Sequence, residues 1–221
     1  MNRNISTTLS ALALLVASAL PLWCQQDRPD NRAGAFDYYL LALSWSPAWC
    51  DLTGDARGDP QCDAGRGLTF IVHGLWPQYE QGYPADCFTT QTDPSRADTA
   101  AMADIMGGAG LAFYEWKKHG RCSGLSARAY FATLRSARAA ITLPPVFNQI
   151  TRDLTLDASV IEAAFLEQNP HLSAQGVTVT CKQGLIQEVR ICLTRDLAPR
   201  ACAPDAARDC TLPDAVLEAV R

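Results

Sequence analysis

The sequence predicts an α+β fold: a mostly antiparallel central sheet flanked by helices, in a single disulfide-stabilised domain. Three observations carry this. Strand-like and helix-like stretches come in clusters, without the regular β-α-β alternation of a parallel sheet. Val177 to Cys181 and Leu185 to Leu193 alternate apolar and polar residues on either side of Lys182-Gln183-Gly184, which reads as a β-hairpin. The 221 residues, 48% of them hydrophobic, suffice for one sizeable core and are cramped for two, and nine cysteines are dense enough to staple it.

The N-terminus has a basic residue, Arg3, then an apolar run from Leu9 to Leu20 and the small-x-small triplet Ala17-Ser18-Ala19. This predicts a signal peptide over 1–19, an N-terminal extension over 20–35 and one folded domain over 36–221. The run is shorter than the ~20 apolar residues that span a bilayer, and no later segment qualifies. The expectation is an exported soluble protein, periplasmic or extracellular, with the Ala- and Arg-rich composition favouring a bacterial periplasm. Cysteines at this density belong to an oxidising compartment. Cys24 falls just past the cleavage site, where Trp23 is too bulky for a lipid-modification motif, so the other eight cysteines can pair completely.

Phe36 to Trp45 is short, aromatic and aliphatic, ends at Pro47, and reads as a buried strand. Cys50 to Arg66, rich in Gly, Asp and Pro, reads as a loop. Leu68 to His73 reads as a second strand, with Leu68, Phe70 and Val72 on one face and Thr69, Ile71 and His73 on the other, ended by Gly74 and Pro77. Gln78 to Ser95 is a polar loop holding Cys87. Arg96 to Lys118 has helical periodicity interrupted at Gly107-Gly108-Ala109-Gly110, which predicts two helices, the second capped by Gly120. Ser126 opens a helix through Ala140, and Asp157 opens another through Gln168, stopped by Asn169-Pro170. After the hairpin, the tail from Ala198 carries Cys202 and Cys210.

The net charge of −4 and a pI near 5.3 exclude a protein that holds long nucleic acid on a broad basic surface. They allow an enzyme with a local cationic site around one phosphate.

Only three histidines are present. His73 closes a strand and opens His-Gly-Leu-Trp-Pro, a place where a side chain can be aimed into a cleft; the alternative is a satisfied histidine at a sheet edge. His119 closes Glu115-Trp116-Lys117-Lys118-His119. On a helix Glu115, Lys118 and His119 share one face, either a solvated charged stripe or the acid, cation and imidazole of a site. The negative end of the helix dipole and Glu115 are both expected to favour the imidazolium form of His119. His171, in a loop, is assigned to the surface. Two imidazoles, a lysine and a carboxylate supply what RNA cleavage requires. One imidazole takes the proton of a ribose 2′-hydroxyl, the other protonates the departing 5′-oxygen, and a cation meets the charge of the transition state. No His-x-x-x-His or His-Glu-x-x-His spacing occurs, so neither a metal nor another cofactor is expected.

Thr69-Phe70-Ile71-Val72-His73-Gly74-Leu75-Trp76-Pro77 and Glu115-Trp116-Lys117-Lys118-His119-Gly120-Arg121-Cys122 together resemble the two hallmark segments of the ribonuclease T2 family. Tyr38 to Trp45 is similar to the family's first core strand and Val177 to Cys192 to its disulfide-closed hairpin, so the resemblance spans about Phe36 to Cys202. It implies an α+β endoribonuclease; single-stranded RNA is the expected substrate and a monomer the expected state. Such an enzyme forms a 2′,3′-cyclic phosphate and then hydrolyses it to a 3′-phosphate. Carried over by motif, His119 is the base and His73 the acid of the first step. Glu115 and Lys118 stabilise the transition state, Glu115 also orienting His119, and Trp76 stacks a base or is a core residue under the loop. Tyr114 stands where the family often has a histidine, Gln78 where a base-reading residue is frequent, and Ser44 where glutamine is common. Tyr114 can still hydrogen-bond a phosphate, while base preference is left open. The resemblance further implies Cys87–Cys122 and Cys181–Cys192 bridges; proximity adds Cys50–Cys62 and Cys202–Cys210. A non-catalytic secreted RNA-binding or toxin-like module on the same scaffold is the alternative, and the intact His73, Glu115, Lys118 and His119 argue against it.

Overall fold

The structure, a computed structural model, describes residues 31–221; the expected signal peptide over 1–19, most of the 20–35 extension and Cys24 lie outside the described residues. Its strands are β1 (Tyr38–Trp45), β2 (Phe70–Gln78), β3 (Leu154–Leu156), β4 (Val177–Lys182), β5 (Leu185–Leu193) and β6 (Ala215–Leu217). They form one sheet in the order β2-β1-β5-β6-β3, with β4 also paired to β5. Every pairing is antiparallel except the single parallel contact Leu185–Val216 between β5 and β6. The fold is the expected α+β arrangement.

The eight residues of β1 are all buried, and all but Ser44 are apolar or aromatic, because both faces of the strand are covered. Tyr39, Leu41, Leu43 and Trp45 enter the main core, while Tyr38, Leu40 and Ala42 join a smaller cluster with Cys192, Ala203 and Ala206 on the other face. In the main core the rings of Trp45, Phe70, Phe147 and Phe165 form an aromatic group with centroids 4.9–6.0 Å apart.

β2 runs past both predicted terminators. It is the edge strand of the sheet, and Pro77, which lacks an N–H, is tolerated at an edge. The helices are α1 (Ser46–Trp49), α2 (Asp55–Arg57), α3 (Arg96–Ala100), α4 (Ala103–Met106), α5 (Ala109–Lys118), α6 (Ala127–Ala139) and α7 (Ser159–Gln168). Three of them replace the two expected between 96 and 118. Gly107, at φ +77°, supplies the foreseen break, and a second falls after Ala100. Ser126 caps α6 by accepting from the Ala129 N–H. The Asp157 carboxylate accepts from the Ser159 N–H at the start of α7. The stretch expected to be a loop from 50 carries short helical turns, closed by the Cys50–Cys62 bridge.

Two expected disulfides form, Cys50–Cys62 and Cys87–Cys122, and two do not: the pairs are Cys181–Cys210 and Cys192–Cys202. The hairpin register explains this. Cys181 lies opposite Ile186, and Cys192 is six residues further along β5, roughly 20 Å at strand rise. No bridge spans that distance, so each cysteine takes a partner from the tail that crosses its own end of the hairpin.

Candidate active site

The register of β1 and β2 shifts at the centre of the first motif. Leu43 pairs with Val72 and Ala42 with Gly74, so His73 is an extra, unpaired residue in β2. This bulge re-aims its side chain and resets the alternation: Phe70, Val72 and Leu75 reach the main core, while Trp76 packs against the smaller cluster on the other face. The Tyr130 hydroxyl donates to the Leu75 carbonyl at 3.0 Å and anchors β2 beside Trp76.

α5 supplies the second half. Its buried face is Ala112, Glu115 and Trp116, at i, i+3 and i+4, so Glu115 belongs to the inward side and not to a solvated charged stripe. The Glu115 carboxylate accepts from the Trp76 indole N–H at 2.6 Å, and its other oxygen lies 3.6 Å from His73 Nε2. It therefore serves His73, where the sequence had paired it with His119. A Cβ on Gly74 would collide with this carboxylate and with the Trp76 indole, which is why the motif needs glycine after the histidine. A Cβ on Gly120 would likewise meet the rings of Trp116 and Tyr130. The cap of α5 is His119 itself, whose φ of −121° takes it out of helical geometry. Gly120 begins a following 3-10 turn, Gly120–Ser123.

One indole links the two histidines: the Trp76 centroid is 5.1 Å from that of His73, edge-on, and 5.2 Å from that of His119. The Tyr83 ring lies 6.0 Å from His119 on a partly exposed loop. The Cys87–Cys122 bridge ties the loop after β2 to the turn after α5, and so couples the two motif segments covalently.

The surroundings drive the two imidazoles apart. His119 is buried, and among the described residues its Nδ1 has no hydrogen-bond partner. Burial first, then the charges of Lys118 and His73, push it down to about 3. This overturns the expected imidazolium: desolvation outweighs the helix dipole, and Glu115 faces the other histidine. His73 remains partly exposed. Burial acts to lower it, but the hydrogen bond and charge of Glu188 and the charge of Glu115 outweigh both burial and Arg190, and its pKa is raised. Burial lifts the Glu115 carboxyl, with Glu188 adding, against the opposing effects of His73, the Trp76 hydrogen bond and Lys118.

The remaining sequence candidates fall around this centre. The Lys118 ammonium lies 3.3 Å from the hydroxyl of the exposed Tyr114. Gln78 is buried, and its amide nitrogen donates to the carbonyls of Trp76 and Pro77. His171 is exposed, as expected. Glu188, Arg190 and Tyr83 were not singled out from the sequence. Glu188 and Arg190 share one face of a strand whose other residues are mostly apolar, and a charged pair at i, i+2 in such a strand was the available signal.

Residues 36–202 match the Ribonuclease T2 family. A protein of Aeromonas hydrophila named "Ribonuclease" is 32% identical across 96% of this chain and all of its own length. Among solved structures, trichomaglin, described as a novel S-like ribonuclease, superposes with a TM-score of 0.63 at 19% identity over 83% of this chain and 97% of its own. An RNase-related protein from Calystegia sepium superposes at 0.62, also at 19% identity, over 84% of this chain and 97% of its own. These two likenesses concern the fold alone.

Proposed function

The chain belongs to the ribonuclease T2 family and is an endoribonuclease, and from this premise we propose that His119 is the base and His73 the acid of the first step. His119 Nε2 takes the proton of the ribose 2′-hydroxyl. The 2′-oxygen attacks phosphorus, the bond to the 5′-oxygen breaks, and His73 Nε2–H delivers its proton to the departing oxygen. The product is a 2′,3′-cyclic phosphate. In the second step the roles exchange: His73 takes a proton from water, whose oxygen attacks phosphorus, the bond from phosphorus to the 2′-oxygen breaks, His119 returns its proton to that oxygen, and a 3′-phosphate results. Each proton transfer contributes about 10²–10⁴-fold.

The observation that carries this reading is the opposed tuning of the two rings. An imidazole pushed down to about 3 is neutral, with a free lone pair, throughout mildly acidic conditions. One whose pKa is raised still holds its proton there. Glu115 keeps the His73 proton in place and fixes Trp76, while Lys118 meets the charge that builds on the phosphate oxygens. Trp76 and Tyr83 offer aromatic surface to the bases of a single strand, a contact worth ~1–3 kcal/mol per base in comparable sites; Tyr114 approaches a phosphate through its hydroxyl, and Gln78 holds the backbone of the base-facing segment. All these groups come from one chain, so a monomer suffices. Export to a periplasm or medium fits the four disulfides, and among the described residues no helix is long and apolar enough to cross a membrane.

The test is digestion of a defined RNA with identification of the new ends, for the wild type and for His73→Ala and His119→Ala. Cyclic phosphate followed by 3′-phosphate is expected from the wild type, with loss of cleavage in both folded variants. A His119→Ala enzyme with undiminished turnover would overturn the assignment.

A further inference from the structure

We propose that Glu188, which lies in neither motif segment, is a positioning residue for His73: its carboxylate holds the Nδ1 proton and so directs Nε2 at the substrate. This rests on His73 being the acid, as argued above. The contact reaches across the central strand. β1 lies between β2 and β5, so about two strand spacings, ~9.6 Å, separate the backbones concerned. The β1 residues facing that gap are small: Ala42 pairs with Arg190 and Ser44 with Glu188. Over them Glu188 Oε1 meets His73 Nδ1 at 2.5 Å, and the bulge in β2 brings the ring into range.

The carboxylate is fully engaged. Oε1 also accepts from the Ser44 hydroxyl at 3.2 Å. Oε2 accepts from Arg190 Nε–H at 2.9 Å and lies 2.8 Å from the second guanidinium nitrogen. Burying a charge is strongly unfavourable unless it is paired and hydrogen-bonded. Here a carboxylate only 1% exposed is held against a partly exposed histidine. A bond to Nδ1–H leaves Nε2 as the nitrogen that exchanges a proton with the substrate: it is protonated in the imidazolium that acts as acid and free in the neutral ring that acts as base in the second step. The Arg190 guanidinium, which neutralises Glu188 on its far side, also lies 5.5 Å from the Trp76 ring centroid. The charged or titratable groups facing His73 are thus Glu188 and Arg190 from β5, Glu115 from α5, and His119 at the end of α5, on which Lys118 in turn acts.

The experiment is the pH dependence of kcat/KM on a defined dinucleotide, with the full chain, for Glu188→Gln, Glu188→Ala and Arg190→Gln. The amide of Glu188→Gln can still accept from Nδ1 but carries no charge. The alkaline limb should fall by about one pH unit, a roughly tenfold loss of rate on that limb, with little change in the acidic plateau. Glu188→Ala should lower kcat across the whole range with KM little altered. Arg190→Gln, which leaves Glu188 more negative in effect, should move the limb upward. A merely structural ion pair would change melting temperature and leave the limb where it is. An unmoved limb in folded Glu188→Gln overturns the proposal; if that variant does not fold, an unmoved or lowered limb in Arg190→Gln does so. Retained activity in His73→Ala would instead refute the underlying assignment of the acid, so the two failures are separable.

Discussion

The sharpest physical prediction concerns His119 and stability. Substituting His119→Gln removes an imidazole that the fold holds neutral at about 3, against about 6.5 in an unfolded chain. Between these values the unfolded state takes up a proton that the folded state refuses. The group therefore costs nothing above its unfolded pKa, and its cost grows as pH falls toward the folded value. One proton corresponds to about 1.4 kcal/mol per pH unit. Integrated from about pH 6 to about pH 4, His119 should destabilise the wild type by about 2–3 kcal/mol. The glutamine variant has no such term, and all other groups titrate equally in both proteins. Urea unfolding of the two proteins at several pH values in that window measures this directly. The wild-type stability should decline more steeply by that amount, whatever the constant offset between the curves. Parallel curves would show that His119 is not held neutral, and the assignment of base to His119 would lose its support.

Three further outcomes follow from the geometry. Replacing both Cys87 and Cys122 by Ser opens a loop whose ends are 35 residues apart; loop entropy puts the loss at about 4 kcal/mol, readable as a lower urea midpoint, with turnover falling because the motif segments are no longer tied. Trp76→Phe removes the indole donor to the buried Glu115 carboxylate, a bond to a charged group worth about 1.5–3 kcal/mol, and should lower both kcat and thermal stability. Gly74→Ala drives a methyl group into the Glu115 carboxylate and the Trp76 indole, and is expected to abolish cleavage in a chain that circular dichroism still shows to be folded; wild-type kinetics would contradict the packing described here.

Local patterns in the sequence carry far. The shared core face of Phe70 and Val72, the Ser126 cap and the Lys182-Gln183-Gly184 turn each depend on neighbours within a few residues, and all appear in the structure. The strand itself starts at Phe70 instead of Leu68, and α7 starts at Ser159 instead of Asp157, which still accepts from the Ser159 N–H. His73, Glu115, Lys118 and His119 were legible as a group because their residue types and spacing lie within two short segments. Whether Glu115 faces solvent or core was not, since the same helical positions suit a charged stripe or an inward face. The choice was made by Trp116 and Ala112 beside it, which take that side of α5 into the interior.

Groups that meet across strands were set by the folded arrangement alone. The partner of Nδ1 in His73 is 115 residues away, and the two are joined by a bulge, a sheet order and two small side chains on the strand between. The cysteine pairing follows from which end of the hairpin the tail crosses. The charge state of His119 follows from desolvation, which depends on everything packed around the ring. Short-range sterics and periodicity marked the longer strands and helices and the residue types available for chemistry, while the short strands β3 and β6, the helical turns after Trp45 and the break after Ala100 depend on contacts from elsewhere in the chain. Protonation, pairing and aim depend on long-range register and burial, which no single segment encodes.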